Sequence, residues 1–365
     1  MRIYKRWKVA MLKKTVKTII LGLACLLLVF IISAGVFFAL RFVLSIDVSG
    51  AENTLEYEDT AVGGASNKEK NKRVNFLLLG KDNTSGLCDV IMLVSYNVTE
   101  SSIGVVQIPR DTYAKYTDES YKKLNGAVRS LGSEKEFCAF LSKSFGVPID
   151  HYISLDIEAV GEIVDIIGGV EVNVPCDMSY NDAEQDLYID LKAGKTKLDG
   201  EMAKKFVRFR SSYINGDIGR IDAQKIFLAA LLRKLKSDTS VLEIGSVAAR
   251  VADKIDTSLS LQEMISLAKT AFSVPSERIR FVTLAGEGAV AKKSGASYYV
   301  ISRPSCIEIF REIFCADVNE DNFDKSRLFL NEDYDEFERI YFSHAKYTVY
   351  DAAALCRDGI DIAKK

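Results

Sequence analysis

Residues 19–40 are an uncharged run of 22 residues, and no other feature limits the folding of this chain as strongly. At about 1.5 Å rise per residue, a helix of that length spans a bilayer core of roughly 30 Å. A cleaved leader has an apolar region of only about 7–15 residues, so the length predicts an uncleaved anchor. Ser33-Ala34-Gly35 is nevertheless a small-residue stretch of the kind a cleavage site uses. Arg2, Lys5, Arg6, Lys8, Lys13, Lys14 and Lys17 precede the run with no acidic residue among them. That asymmetry predicts a cytoplasmic basic tail over 1–18, one transmembrane helix over 19–40, and the remainder outside the cell.

The net charge of −2 conceals this division: without the seven basic residues of the tail, the rest of the chain carries −9. An acidic outer portion with no basic stripe argues against nucleic acid as the main partner. Of seven cysteines, Cys25 falls in the apolar run, leaving Cys88, Cys138, Cys176, Cys306, Cys315 and Cys356. An even number outside the cell permits disulfides, and a Cys306–Cys315 pair is left open, but the spacings show no dense framework. No CxxC occurs, which disfavours a zinc site, and Cys88 reads as a small buried thiol.

Polar sequence over 49–72, with Gly63-Gly64 and a charged stretch at 67–72, predicts that 41–73 is an extracellular tether. The folded part then begins abruptly with Asn75-Phe76-Leu77-Leu78-Leu79-Gly80, an apolar run suited to a strand buried on both faces. Residues 91–98 and 103–108 read as two more strands, joined by a hairpin at Thr99-Glu100-Ser101-Ser102. Apolar spacing predicts helices over 137–145, 157–167, 221–236 and 256–272, the last capped by Thr257 or Ser258. Residues 170–174 and 279–284 read as strands. Alternating short strands and helices imply an α/β fold, with a mixed central sheet flanked by helices. Past Ala316 the pattern dissolves into acidic, aromatic-spotted sequence, leaving 316–365 as a C-terminal extension without an assigned role.

The chemistry gathers around arginine. Arg208, Arg210, Asp217 and Arg220 fall within thirteen positions, and Arg110 follows the strand-like run 103–108. The planar guanidinium fork matches phosphate or carboxylate oxygens two at a time, so clustered arginines predict a bound oxyanion. Surface salt bridges are the competing reading for any one pair. On an extended backbone Arg208 and Arg210 would share a face. Two loops stand at strand ends, where α/β sheets gather ligands: 81–89, with Asp82 and Asp89, and Pro109-Arg110-Asp111. Paired carboxylates suit Mg²⁺, a hard cation that often bridges to phosphate, although for either aspartate alone loop solubility and an Asx-turn are the preferred reading. Lys123 and Asn125 share a face if extended, and Asn125 has the groups to bond a sugar or phosphate. Arg220 opens a predicted helix with Gln224 one turn later, at a helix N-terminus that favours anions.

Several classes are excluded. Only His151 and His344 exist, neither beside a motif, and His151 reads as a strand residue. A Ser-His-Asp hydrolase and a His-ligated zinc enzyme are disfavoured. Without GxxxxGK[ST] or GxGxxG no nucleotide pocket is indicated. Acidic residues, arginines and a hard metal suit phosphoryl transfer.

Eight segments, NFLLLGKD (75–82), DVIML (89–93), IPRD (108–111), KLNGA (123–127), GGVEV (168–172), LDGE (198–201), VRFR (207–210) and GDIGR (216–220), occur in this order behind the anchor. Together they resemble the LytR–CpsA–Psr family of bacterial cell-envelope proteins, strongly from about Val74 to Lys236 and more weakly to about Cys315. The resemblance implies a cell-membrane phosphotransferase, single-pass, with its catalytic domain over 74–315 outside. It would move a glycopolymer (wall teichoic acid, capsule or a related polymer) from an undecaprenyl-pyrophosphate carrier to a peptidoglycan hydroxyl. Asp82 and Asp89 would hold Mg²⁺ on the pyrophosphate, and Arg110, Arg208, Arg210 and Arg220 would clamp its oxygens. Lys123, Asp217 and Gln224 would support them, Asp82 or Asp217 would act as base, and the apolar helices would enclose the polyprenyl chain. One departure stands out. Many members carry Arg-Ser directly before the second aspartate of the first loop, where this chain has Leu87-Cys88, one phosphate contact fewer. The same pocket would serve two other functions: a non-catalytic polyprenyl-pyrophosphate-binding regulator, or hydrolysis with water replacing the sugar hydroxyl.

Overall fold

The structure is a computed structural model, and it describes residues 72–82, 85–116, 122–183, 187–238, 252, 255–319, 321–324, 337–338 and 345–362, all within the compact unit Asn67–Lys365. The apolar run 19–40, the basic tail and most of the tether lie outside these residues. No helix among the described residues is long and apolar enough to cross a membrane.

Seven strands form the central sheet: β1 (Arg73–Lys81), β2 (Cys88–Asn97), β3 (Ser102–Gln107), β4 (His151–Asp156), β5 (Ile255–Thr257), β6 (Ile279–Thr283) and β7 (Tyr350–Asp351). Their spatial order is β5-β4-β1-β2-β3-β6-β7. The pairs β1–β2, β2–β3, β4–β5 and β6–β7 are antiparallel, whereas β1–β4 and β3–β6 are parallel, so the sheet is mixed as expected.

Side chains alternate across a strand, and the apolar runs exploit that to fill two cores at once. Leu77, Leu79, Ile91, Leu93 and Val106 point to one face, covered by α1 (Glu134–Phe145) and, later in the chain, by the helix Arg303–Phe314. Phe76, Met92, Tyr96 and Val105 point to the other. There they meet α2 (Ile157–Ile166), α3 (Gly200–Arg208), α4 (Asp217–Asp238), α5 (Leu261–Phe272) and the C-terminal helix Ala352–Asp358. The helix ends are written locally. Ser133 caps α1 by accepting from the Glu136 amide and Asp156 caps α2 through the Ala159 amide, each worth about 1 kcal/mol.

The structure departs from one expected helix start and bears on two points the sequence leaves open. Residues 255–257 pair with β4 as a strand, and α5 starts only at Leu261, behind a capping box of Ser260 and Glu263 rather than a Thr257 or Ser258 cap. The side chains of Thr257 and Ser258 are instead drawn to Tyr152 on β4, at 2.6 Å to its carbonyl and 3.2 Å from its amide. Cys306 and Cys315 are free thiols. They lie nine residues apart along and just past one helix, roughly 13 Å by helical rise, beyond disulfide reach. The described parts of 316–365 contribute to the core: β7 pairs with β6 and completes the sheet, and Phe323, Phe337 and Leu355 are buried.

Candidate active site

Because β1 and β3 both run antiparallel to β2, their C-terminal ends and the start of β2 meet at one edge of the sheet. There the register slips. Gly80 faces Val90 and Lys81 faces Cys88, which makes Asp89 the extra residue of a bulge. A bulge re-aims the side chain it displaces, and Asp89 meets Arg110 in an ion pair. Arg110 itself stands on the turn after β3, and backbone bonds hold that turn from several sides. The Thr112 amide donates to Pro109 O at 3.0 Å, the Asn125 amide to Arg110 O at 2.9 Å, and the Tyr299 amide to Asp111 O at 2.8 Å.

The N-terminus of α4 completes the cluster. A Cβ at Gly219 would come within 2.5 Å of the Tyr213 Cβ, so only glycine lets the first turn pack there. Tyr213 is itself fixed edge-on to Phe209 at 5.3 Å. This packing sets Asp217 and Arg220 one turn apart, with Asp217 Oδ1 2.7 Å from Arg220 Nη2 and 3.4 Å from Arg110 Nη2. One carboxylate oxygen is thus shared by two guanidinium groups, while Asp89 holds the other side of Arg110.

The two arginines differ electrostatically. Burial pushes the Arg220 guanidinium below its ordinary pKa, with Asp217 opposing and Arg110 adding to the fall. At Arg110 burial acts the same way, but Asp217 and Asp89 outweigh it and the net shift is upward. The 2.7 Å Asp217–Arg220 contact is an ion pair by distance, yet neither Arg220 Nη2 nor Asp217 Oδ1 has an aligned hydrogen-bond partner. We take it as a charge contact rather than a directed bond, because hydrogen bonds weaken steeply off axis. Arg220 Nε and Arg110 Nε are also buried without an acceptor. Three N–H-bearing nitrogens on two cations are therefore without an aligned protein acceptor.

The remaining expected residues occupy varied positions. Asp82 follows β1, where its carboxylate accepts from the Ser85 hydroxyl at 2.7 Å. Lys123 pairs with Asp111 at 3.1 Å, and the Lys123–Asn125 stretch is not extended throughout, since residues Leu124–Gly126 form a 3₁₀ turn. Arg208 ends α3 instead of lying on a strand; the buried Phe209 still separates it from Arg210, leaving both arginines exposed. Arg210 is near enough to Arg220 to repel its charge. Gln224 is committed elsewhere: its Oε1 accepts from Gln107 Nε2 at 2.7 Å and its Nε2 donates to Val207 O at 3.2 Å. That buried amide ties α4 to β3 and α3, so it positions Arg220 rather than facing a ligand.

Sequence reasoning passed over Ser85, Gln107 and the Lys81–Glu134 pair at 2.5 Å. Gln107 carried a signal, being an amide inside an otherwise apolar strand. His151 is a strand residue stacked on Phe76 with ring centroids 5.8 Å apart. Cys88 is buried, and its thiol is pushed up to about 12 by burial, with Lys81 opposing. Among the described residues no three His, Cys, Asp or Glu side chains gather as a metal site. Mg²⁺ commonly takes one or two carboxylates and completes its shell with water and phosphate oxygens. Asp82 and Asp89, hard donors at the same end of paired strands, fit an ion held in that way.

The LytR_cpsA_psr family matches residues 42–314. The chain is 26% identical over 239 residues to the polyisoprenyl-teichoic acid–peptidoglycan teichoic acid transferase TagV of Bacillus subtilis (strain 168), covering 63% of this chain and 61% of TagV. The chain therefore spans less than two thirds of that relative's own length. It is 27% identical over 310 residues to the enzyme of the same description, TagU, from Enterococcus faecalis (strain ATCC 700802 / V583), covering 82% of this chain and 96% of TagU. Among solved structures, B. subtilis TagV superposes with a TM-score of 0.59 at 23% identity over 69% of this chain and 98% of TagV. TagT bound to LI-WTA superposes with a TM-score of 0.53 at 24% identity over 66% of this chain and 89% of TagT. Those two likenesses establish a shared fold.

Proposed function

The chain belongs to the LytR_cpsA_psr family, and from that membership we propose that it transfers a glycopolymer from a polyprenyl-pyrophosphate carrier to a peptidoglycan hydroxyl. The observation that carries this reading is the pair of guanidinium groups, half-buried Arg110 and buried Arg220, with N–H groups lacking aligned acceptors. A pyrophosphate fits that arrangement chemically, because it brings several anionic oxygens where fixed donors already point. The names of TagU and TagV support the substrate class, and TagT bound to LI-WTA supports a lipid-linked polymer as the ligand of this fold.

In the reaction, the acceptor oxygen bonds to the phosphorus that carries the glycan. The bond from that phosphorus to the bridging oxygen breaks, and polyprenyl phosphate leaves with the electron pair. The acceptor proton passes to a carboxylate at the site, Asp82 or Asp217. Arg110 and Arg220 stabilise charge that grows on the phosphoryl oxygens, and because packing and ion pairs to Asp217 and Asp89 already hold them in place, little reorganisation is needed. Exposed Arg208 and Arg210 extend the positive surface toward the donor. Mg²⁺, held by Asp82 and Asp89, would neutralise pyrophosphate charge when bound. The basic tail and the apolar run 19–40 would anchor the chain in the cell membrane with the N-terminus cytoplasmic and this domain outside.

The test is a transfer assay with the full chain in detergent, a labelled polyprenyl-pyrophosphate glycan, peptidoglycan oligosaccharides, and Mg²⁺ or chelator. Glycan attached to the acceptor in Mg²⁺, and lost with chelator and in Arg110→Ala, is the expected result. Release of free glycan phosphate alone would replace transfer with hydrolysis. Tight donor binding with no product would leave a binding protein.

A further inference from the structure

A cavity of about 710 Å³ opens beside the arginine cluster, sharing Asp217 and Pro109 with it. Volumes of this size suit a small ligand or a few sugar units. Its walls come from the start of α4, the end of β6, the hairpin Gly286–Ala291 and Ser297–Ile301, and the C-terminal stretch 346–350. That last stretch lies beyond the family match, which ends at 314.

The lining is aromatic and hydroxyl-rich. Tyr298, Tyr299, Tyr347 and Tyr350 all reach it. Tyr298 is held edge-on to Tyr113 at 4.5 Å, and Tyr350 lies under Lys225 Nζ at 5.4 Å, so both rings are fixed in advance. Thr283 also lines the cavity, and its buried Oγ1 has no hydrogen-bond partner. Sugars present apolar C–H faces and hydroxyl edges, and fixed tyrosine rings beside carboxylates and hydroxyls match both.

Charge selects among sugars. Asp111, Asp217, Asp222 and Glu287 line the cavity together with Lys225 and Lys346, and three of the carboxylates are matched: Asp111 by Lys123, Asp217 by Arg220 and Arg110, and Asp222 by Lys225. With its charges matched internally, the cavity has no surplus cation to offer a polymer that carries phosphate on every unit, whereas a neutral glycan needs none.

We propose that this cavity is the acceptor subsite, that it binds a neutral glycan whose hydroxyl is directed at the phosphorus beside Asp217, and that residues 346–350 help determine which glycan is accepted. The assignment rests on the transferase reading and deepens it. Gly288 provides a clean test, since it lines the cavity and a Cβ there would meet nothing within 4 Å. Gly288→Trp adds bulk at the cavity lining from a position where a Cβ meets no neighbour, and Tyr347→Ala removes a wall.

The experiment titrates three probes into the full chain in detergent: chitotetraose, a glycerol-phosphate oligomer and inorganic pyrophosphate. The expected result is chitotetraose binding to wild type, weakened at least about tenfold in both variants, with pyrophosphate affinity unchanged as the control for folding. In the transfer assay, Gly288→Trp should raise the acceptor KM by a similar factor and leave the donor KM alone. Chitotetraose binding that is absent from wild type, or that survives Gly288→Trp, overturns the assignment. So does loss of glycerol-phosphate oligomer binding in Gly288→Trp, because the cavity would then hold the donor polymer. In each of these cases transfer lost in Arg110→Ala would leave the transferase reading standing.

Discussion

Asp217→Asn probes the centre of the cluster most sharply, because one oxygen of Asp217 faces both Arg220 at 2.7 Å and Arg110 at 3.4 Å. Removing one partner of a buried ion pair costs about 3–5 kcal/mol, since the other charge stays buried and uncompensated. Asp217 retains 26% side-chain exposure and Arg110 19%, so water screens part of that loss. We expect roughly 2–3 kcal/mol for the apo protein, a fall in Tm of about 4–6 °C for a domain of this size. The same substitution should strengthen anion binding, because two guanidinium groups lose the carboxylate they share. Tenfold tighter pyrophosphate binding adds about 1.4 kcal/mol of stabilisation at saturating ligand, or about 3 °C. Calorimetry of the full chain in detergent, with and without inorganic pyrophosphate, reads both effects. If Asp217→Asn melts like wild type, or pyrophosphate raises its Tm no more than it raises that of wild type, the arginine pair is not an anion site governed by Asp217.

Three further outcomes follow from the same geometry. Arg220→Lys keeps one charge but loses the fork of donors, and transfer should fall about 10²–10³-fold in a steady-state assay. Gln107→Leu leaves the buried Gln224 amide without its partner and should cost about 1–3 kcal/mol in urea unfolding, whereas Gln107→Leu with Gln224→Leu should recover much of that loss. Burial raises the Cys88 and Cys138 thiols to about 12 from the ordinary 9.0, so the folded chain keeps protons that the unfolded chain releases. Their stabilisation is full below about pH 9 and fades as pH rises toward about 12, and Cys88→Ala should flatten that alkaline decline in urea midpoints measured from pH 8 to pH 11.

Much of the fold is legible in the sequence because its signals are local. β1, β2 and β3 show as apolar runs between turn residues, and their alternate residues feed two different cores. Residues Val170–Val174 show as a strand directly after Gly168-Gly169, both of which have positive φ. What stays hidden depends on partners distant in sequence. Residues 255–257 carry a helix-compatible pattern, and only β4, about a hundred residues earlier, makes them a strand. β7 is two residues long and exists because β6 offers an open edge.

The candidate site divides in the same way. Arg110, Asp217 and Arg220 announce themselves by residue type and spacing, and the structure brings them together. Asp89 joins them only through a bulge, which is a matter of register and leaves no mark in composition. Gln224 sits at helical spacing from Arg220, as a ligand contact would, but Gln107, 117 residues away, takes its amide. On an extended backbone Arg208 and Arg210 would share a face, but α3 continues through Arg208.

The most direct measurement is a crystal structure of the chain with a polyprenyl pyrophosphate bound. Phosphate oxygens within hydrogen-bond distance of Arg110 Nε, Arg220 Nε and Arg220 Nη2 are the predicted result, with Asp217 still between the two arginines. A pyrophosphate bound elsewhere, with those three nitrogens still lacking an acceptor, would contradict the assignment of this cluster as the phosphoryl-transfer site.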